Sequence, residues 1–491
     1  MTNRSFILLV TVTLFGITHG IPSDFGNRHI TAIKASILQR LGYDDFSRYD
    51  IVWPQHSLPS RHSRSSAPYG GRNLVLAMDL FGDKMAAFLL PQNLTSGHFS
   101  SMQWTSLSDG VSTEDESLSD VDWQCHYRGR VELCRNGVCM EGRTAFSNCD
   151  DQGLRGFVMV ADDAVDIRPL PRLIWSLIRE AIGGYLAIKL EPTRMFDGFH
   201  PLADKDADIL HRSTVERHRL FPSTWPFVLS ATGNAYRFRL HDPLSAVPTS
   251  ADVDFTDDDL LLEIAVFIDQ AMTSKLKKDH PRSKDRINVV LSAFNAVQVL
   301  YDDPSFGNVH VRISVKKLVF DKTGTADIKG DGQSESYLYD FCERFQGQMG
   351  NRDDWDIAIA LTGLDIYGVL ADINTDTVYA GLKFKEGRVY GVTGLSFTGG
   401  LCRNKRNCVL AEFSKGLGNV DTIAHEIGHV LGMNHDGAAG NSCDSAAGKI
   451  MSLSSAKPRQ GWSACSVESF TDLLRQGKGD CLAHIAPESV I

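Results

Sequence analysis

The sequence has little of several features that define special classes of protein. Its 42 glycines and 17 prolines in 491 residues are too few for a collagen-like or low-complexity chain. Its net charge of −10 is spread without long blocks of one sign, which argues against a nucleic-acid partner. It lacks an apolar run of about 20 residues, so no membrane span is expected. What remains is an ordinary globular composition, long enough for about three domains.

The first 20 residues have the pattern of a secretory signal peptide. Arg4 precedes an apolar stretch at 6–17, and small residues at 18–20 offer a cleavage site. An uncleaved anchor is the alternative, but this stretch is too short to cross a bilayer. We therefore expect a secreted, extracellular protein, in which Asn93 of an Asn-Leu-Thr tripeptide is a potential glycosylation site.

The ten cysteines fall into two groups, as expected of disulfides in an oxidising compartment. Four lie within residues 125–149 and six within 342–481. In the first group, Cys134 and Cys139 flank an Asn-Gly turn that places two thiols across a hairpin. Two local bridges are therefore expected there, Cys134–Cys139 and Cys125–Cys149. No cysteine lies between the two groups.

Apolar patterning predicts a β-rich first part. Residues 28–41 have helix-like spacing, and apolar runs at 74–78 and 85–90 predict strands paired around a turn. Four prolines and an acidic end mark 217–253 as a domain junction.

The pattern after this junction is different. Predicted strands at 260–268, 309–320 and 355–362 alternate with predicted helices at 286–301 and 334–345, which indicates an α/β sheet with packed helices. The expected organisation is a signal peptide at 1–20, a first domain at 21–250 and a second domain at 251–491.

Residues 425–436 read HEIGHVLGMNHD and carry the strongest chemical signal. On a helix, His425 and His429 share one face and point their imidazoles at one ion, with Glu426 beside them. The alternative is a solvated helix with a chance histidine spacing, which the further residues at fixed offsets make improbable.

Gly432 and His435 complete this motif. Gly432 can adopt a positive φ, so the helix can end there and the chain can bring His435 to the same ion. Three neutral imidazoles on tetrahedral Zn²⁺ leave one position for water, which is typical of a catalytic site rather than a structural one.

Together with Met451, sixteen residues after His435, the motif resembles the metzincin metalloproteases, whose zinc motif is followed by a methionine turn. Asp436 directly after the third histidine is similar to the reprolysin branch, the ADAM and ADAM-TS proteases. Further similarities to that branch lie in 262–269, 355–362, 399–402, 462–466 and 477–482, and at Cys342. The first part is similar to the family's propeptide at 125–131, 147–149, 153–156 and 189–192.

The resemblance implies an α/β (α+β) metzincin domain with a mixed sheet and an active-site helix, preceded by a β-rich propeptide domain. It implies three disulfides in the second domain, Cys342–Cys408, Cys402–Cys481 and Cys443–Cys465. It also implies a zymogen that is inhibited by its own propeptide. Related zymogens block zinc with an unpaired propeptide thiol, but no cysteine between Cys149 and Cys342 offers such a thiol near the junction.

A structural Ca²⁺ site is implied as well, with Glu263, Asp356 and the Cys481 carbonyl at matching positions. These are hard oxygen ligands of the kind that calcium prefers. His484 departs from the family's usual Asp or Asn. The alternative is that Glu263 and Asp356 are strand-end residues paired with water or an arginine.

The function implied is that of a secreted zinc endopeptidase acting on extracellular proteins or peptides. His425, His429 and His435 would bind Zn²⁺, Glu426 would be the general base, and Asp436 and Gly432 would support the site. The alternatives are a catalytically silent secreted binding protein with the same fold, and a zinc hydrolase acting on other substrates. Specificity is expected to come from the cleft, since nothing similar to a disintegrin or thrombospondin segment follows Cys481 in this sequence.

Overall fold

The computed structural model describes most of the chain between residues 23 and 485. The described residues are 23–43, 45–55, 74–92, 94–104, 125–150, 153–170, 174, 183–191, 259–307, 309–321, 332–345, 355–369, 383–385, 388–414, 416–437, 441–452 and 458–485. The predicted signal peptide, Asn93 and the predicted junction at 217–253 lie outside them.

Within the described residues, the first part of the chain contributes a helix and the eight strands of a first sheet, the N-terminal sheet. These elements are α1 (Ser23–Arg40), β1 (Tyr49–Val52), β2 (Leu74–Leu80), β3 (Asp83–Gln92), β5 (His126–Arg135), β6 (Val138–Asp150), β7 (Gly153–Val160), β8 (Asp163–Pro169) and β9 (Tyr185–Lys189). The sheet is antiparallel and has the order β1-β9-β8-β7-β6-β5-β3-β2. Residues alternate between buried and exposed along β2, as expected of a strand with one face on a core. Helix α1 packs beside β1.

The paired strands predicted in the first part are present. Strands β2 and β3 pair with Met78 opposite Met85. Strands β5 and β6 form the predicted hairpin, with Cys134 opposite Cys139. The predicted helix is also present, although α1 begins five residues earlier, at Ser23.

A second, mixed sheet, the C-terminal sheet, is formed mainly by the second part of the chain, whose described residues also contain five α-helices. These elements are β4 (Thr95–Trp104), β10 (Asp259–Ile268), α2 (Gln270–Asp279), α3 (Ser283–Tyr301), β11 (His310–Asp321), α4 (Ser334–Phe345), β12 (Ile357–Thr362), β16 (Gly394–Ser396), β17 (Cys408–Glu412), α5 (Val420–Val430), α6 (Ala464–Arg475) and β18 (Ala483–Ile485). The strand order is β16-β17-β12-β10-β11-β4, with β18 also paired to β10. Strands β17, β12, β10, β11 and β4 are parallel, whereas β16 is antiparallel to β17. A separate small sheet contains β13 (Tyr367–Val369), β14 (Lys383–Lys385) and β15 (Arg388–Tyr390).

Strand β4 is an unexpected member of the C-terminal sheet, because it precedes the predicted junction. It lies parallel to β11, and just before it the Leu94 carbonyl accepts a hydrogen bond from the Val315 amide at 2.7 Å. The first part of the chain therefore contributes a strand to the sheet of the second part.

Helix α3 lies between the two sheets and is buried along nearly its whole length. The Asn295 side-chain amide donates to the carbonyls of Tyr127 and Phe146, at 3.2 and 3.1 Å. The Asn288 amide donates to the Cys149 carbonyl at 3.1 Å. These polar side chains are buried on the helix because they satisfy backbone acceptors of the N-terminal sheet.

All ten cysteines lie in described ranges and all are paired. The disulfides are Cys125–Cys149, Cys134–Cys139, Cys342–Cys408, Cys402–Cys481 and Cys443–Cys465, the pairings expected from the sequence. No cysteine therefore has a free thiol that could bind zinc and keep a zymogen inactive. Among the described residues, no helix has the length and apolar content that a bilayer span needs.

Candidate active site

Helix α5 carries the first two histidines of the motif and ends as the sequence predicts. The Gly432 amide donates to the His429 carbonyl at 2.8 Å, and the Met433 amide donates to the Gly428 carbonyl at 3.0 Å. This pair of hydrogen bonds is a Schellman motif, which requires a residue of positive φ after the helix. Gly432 provides it, with φ of 92°. The chain then turns back and brings His435 beside the helix.

The three imidazoles converge on one point. The Nε2 atom of His435 lies 3.1 Å from Nε2 of His425 and 3.0 Å from Nε2 of His429. All three side chains are buried. The structure therefore brings the predicted ligands together as one cluster.

Backbone carbonyls fix the orientation of two of these rings. The His425 Nδ1 atom lies 2.6 Å from the Ile450 carbonyl oxygen, and the His429 Nδ1 atom lies 2.7 Å from the Met433 carbonyl oxygen. Because a carbonyl only accepts, each Nδ1 carries the proton, and each Nε2 presents a lone pair to the centre of the cluster. Such outer hydrogen bonds are the usual support of metal-binding histidines.

This donor set fits a zinc ion. Tetrahedral coordination with Zn–N distances of about 2.0–2.1 Å places ligand nitrogens about 3.3 Å apart, close to the observed separations. Two neighbouring lone pairs in a buried site repel one another unless a cation lies between them. The arrangement of the histidines therefore matches a three-histidine zinc centre.

Glu426 is buried between α5 and the edge strand β16. Its Oε2 atom accepts a hydrogen bond from the Ser396 hydroxyl, with 2.6 Å between the oxygens. A Cβ atom on Gly394 would lie 2.7 Å from Cγ and Oε1 of Glu426, so a larger residue at this position would require the Glu426 side chain or the strand to move. The structure thus holds the predicted base against the edge of the sheet.

Asp436 connects the zinc motif to the segment that contains Met451. Its amide donates to the Met451 carbonyl at 3.0 Å, and its carboxylate accepts from the hydroxyls of Ser463 at 2.5 Å and Ser452 at 3.3 Å. Burial raises the pKa of Asp436, and these hydroxyl hydrogen bonds oppose the shift. Met451 itself is fully buried. Asp436 therefore joins the turn that carries His435 to the Met451 segment and to Ser463.

Two residues of the expected calcium site, Glu263 and Asp356, lie close together, and both have protein partners. Oδ2 of Asp356 accepts from the Glu263 amide at 2.8 Å, and the Lys316 ammonium lies 2.9 Å from Oε2 of Glu263. Burial raises the pKa of Asp356 to about 7. Cys481 follows α6 and is bridged to Cys402. The sequence-based alternative expected water or an arginine as the partner of Glu263, whereas the observed partner is Lys316.

Three further residues, Gly394, Ser396 and Lys316, contact the predicted site residues but were not identified from the sequence. Gly394 and Ser396 lie outside every motif singled out above, so the sequence gives no indication of their contacts with Glu426. Lys316 lies in the predicted strand 309–320, where alternation alone gives no indication of an acidic partner.

The mixed fold and the three-histidine cluster fit a zinc metalloprotease, and comparisons with known proteins agree. The model of the "Reprolysin (M12B) family zinc metalloprotease" matches residues 376–486, which contain α5 and all three histidines.

Three relatives illustrate the similarity. The human protein "A disintegrin and metalloproteinase with thrombospondin motifs 6" is 28% identical over 81% of this chain and 33% of its own length. The Caenorhabditis elegans protein "A disintegrin and metalloproteinase with thrombospondin motifs adt-1" is 26% identical over 93% of this chain and 30% of its own. The rat protein "A disintegrin and metalloproteinase with thrombospondin motifs 7" is 33% identical over 41% of this chain and 12% of its own length.

The chain therefore carries a reprolysin-type metalloprotease domain and is related to ADAM-TS proteins over most of its length. It spans about a third of the length of the first two of these relatives.

Proposed function

We propose that the protein is a secreted zinc endopeptidase that hydrolyses peptide bonds of extracellular proteins and is made as a zymogen. The single observation that carries this proposal is the convergence of three buried histidines, with Nε2 of His435 3.1 Å from Nε2 of His425 and 3.0 Å from Nε2 of His429, next to a buried glutamate. Three nitrogen ligands leave a fourth zinc position for water, and a glutamate beside them can move its proton.

The proposed chemistry depends on Glu426. A zinc ion held by His425, His429 and His435 would supply a Lewis acid that polarises the scissile carbonyl and lowers the pKa of a water molecule. The Glu426 carboxylate takes a proton from the water molecule that attacks the scissile carbonyl. The protonated carboxyl then passes the proton to the leaving amine. Ser396 keeps the carboxylate oriented for both transfers through its hydrogen bond.

The edge strand β16 is the proposed binding place for the substrate backbone. It pairs with β17 on one side and stands at the end of the described C-terminal sheet. An extended peptide can add to such an edge through main-chain hydrogen bonds. Because Glu426 contacts Gly394 and Ser396 of this strand, a peptide bound there would have its backbone close to the base.

Latency is proposed to come from the N-terminal part of the chain, the predicted propeptide domain. His425, Glu426, His429 and His435 are each at most 3% exposed in the intact chain. Asp166 of the N-terminal sheet accepts a hydrogen bond from the Leu417 amide at 3.2 Å, three residues before α5 begins. The N-terminal part therefore contacts the segment that leads into the active-site helix.

The proposal is tested by measuring cleavage of a generic protein before and after proteolysis at a site engineered between residues 217 and 250. We expect low activity from the intact chain, a rise after cleavage, and loss on adding a zinc chelator. A chain that binds one zinc ion but cleaves neither proteins nor a peptide library after this treatment would instead be the silent binding protein.

A further inference from the structure

The expected calcium site contains a positively charged side chain of the protein itself. Lys316 on β11 extends to Glu263 on the neighbouring strand β10, with 2.9 Å between Nζ and Oε2. The Lys316 side chain is 8% exposed, whereas that of Glu263 is 25% exposed. A lysine is buried to this extent almost only when it has an anionic partner.

The second expected calcium ligand is held by the backbone. The amide of Asp356 donates to the Glu263 carbonyl at 2.8 Å, while Oδ2 of Asp356 accepts from the Glu263 amide at the same distance. The Asn407 side chain donates to the Asp356 carbonyl at 2.9 Å. These bonds fix Asp356 beside Glu263, so two carboxylates and one ammonium share this end of the sheet.

These contacts compete with calcium binding. Ca²⁺ takes six to eight oxygen ligands, and it needs the lone pairs of the carboxylates that surround it. One oxygen of Glu263 already binds Lys316, and one oxygen of Asp356 already binds an amide. A divalent ion between the same carboxylates would also be repelled by the ammonium group. The residues therefore do not fit a calcium ion while Lys316 stays in place.

We propose that Lys316 supplies the positive charge that a calcium ion would supply between Glu263 and Asp356, so that this fold is stable without calcium. Replacing the ammonium with an uncharged side chain leaves two neighbouring carboxylates without a cation. Such a variant gains a site at which added calcium stabilises the fold. This inference concerns stability and does not depend on catalysis.

The test is thermal unfolding of the full zinc-loaded chain in chelating-resin-treated buffer, with and without about 5 mM calcium chloride. The wild type is expected to have the same Tm in both buffers, since a ligand that binds only the folded state raises Tm. Lys316→Met is expected to lower Tm by about 4–8 °C without calcium and to regain part of that loss with calcium.

Two variants serve as controls. Lys278→Met removes a lysine that is exposed at the end of α2, and it is expected to keep the wild-type Tm in both buffers. Lys316→Arg keeps the positive charge and is expected to remain insensitive to calcium. If Lys316→Met does not fold, the calcium response of the wild type still tests the proposal, because a wild type that calcium stabilises contradicts it.

Calcium binding by the wild type is also measured directly, by calorimetric titration with calcium. A Tm increase of several degrees with calcium, together with binding that Glu263→Gln abolishes, would overturn the proposal. The absence of both effects in the wild type, with a calcium response only in Lys316→Met, supports it.

Discussion

The hydroxyl of Ser396 donates a hydrogen bond to the carboxylate of Glu426, with 2.6 Å between Oγ and Oε2. Ser396 lies on the edge strand β16 and Glu426 lies on helix α5. Both residues are buried. This bond therefore fixes the proposed general base relative to the strand that is proposed to hold the substrate.

Ser396→Ala is predicted to lower kcat about 10-fold and to leave KM nearly unchanged. A hydrogen bond to a charged group contributes about 1.5–3 kcal/mol, and about 1.4 kcal/mol corresponds to a factor of ten in rate. The measurement is steady-state cleavage of a fluorogenic peptide by the processed enzyme. Ser414→Ala removes an exposed hydroxyl and is the matched control. A wild-type kcat for Ser396→Ala would show that the bond does not position Glu426.

Gly394→Ala is predicted to reduce activity more strongly, by about 100-fold or more. The added methyl would lie 2.7 Å from Cγ and Oε1 of Glu426, and the carboxylate would have to move. A displacement of about 1 Å in a catalytic group costs about 100-fold in rate. Zinc content, measured by atomic emission, is expected to stay at one ion per chain. If activity were unaffected, the close approach of β16 to Glu426 would be refuted.

Asn295→Leu is predicted to lower the free energy of unfolding by about 2–4 kcal/mol. The substitution leaves the carbonyls of Tyr127 and Phe146 without this donor, and each buried unsatisfied group costs about 1–3 kcal/mol. Urea denaturation of the intact chain measures the loss. Asn404→Leu, at an exposed position, is the control and is expected to change stability little. Equal stability of Asn295→Leu and wild type would show that α3 and the N-terminal sheet are not joined by this amide.

Glu412→Gln is predicted to stabilise the protein at alkaline pH. Burial, aided by the charge of Asp365, raises the pKa of Glu412 from its ordinary 4.5 to about 7, although a hydrogen bond from the Ile366 amide opposes the shift. The folded state therefore binds this proton more tightly than the unfolded state. The stability that comes from protonated Glu412 is fully present below about pH 4.5 and is lost as the pH rises through 7.

The glutamine keeps an oxygen that can accept from the Ile366 amide and carries no charge. We expect the variant to exceed the wild type by about 1–2 kcal/mol at pH 8, with the difference shrinking towards pH 5. Urea denaturation at both pH values measures it. A stability difference that is the same at pH 5 and pH 8 would contradict the assigned pKa.

The zinc site could be predicted from the sequence because its ligands are close in the chain. His425, His429 and His435 lie within one helix and the turn after it, so their convergence depends on local geometry and on Gly432. The strands around the Asn-Gly hairpin were predictable for the same reason, since the pairing of Cys134 with Cys139 is set by the turn between them.

Other features depend on partners far away in the chain. Ser396 and Glu426 are 30 residues apart, and Asn295 and Phe146 are 149 residues apart. No local periodicity indicates which buried polar residue will find which acceptor. Strand β4 was missed because its sequence, TSGHFSSMQW, is polar and does not alternate clearly. It forms because the adjacent strand β11 offers an open edge of the C-terminal sheet.

The most direct test of the central claim compares wild type and Glu426→Gln after processing, with zinc content measured in both. The predicted result is one zinc ion per chain in each protein, chelator-sensitive cleavage of a peptide library by the wild type, and a loss of at least about 100-fold in the variant. Equal rates in the two proteins, or no cleavage by the zinc-loaded wild type, would contradict the assignment of Glu426 as the base of a zinc endopeptidase.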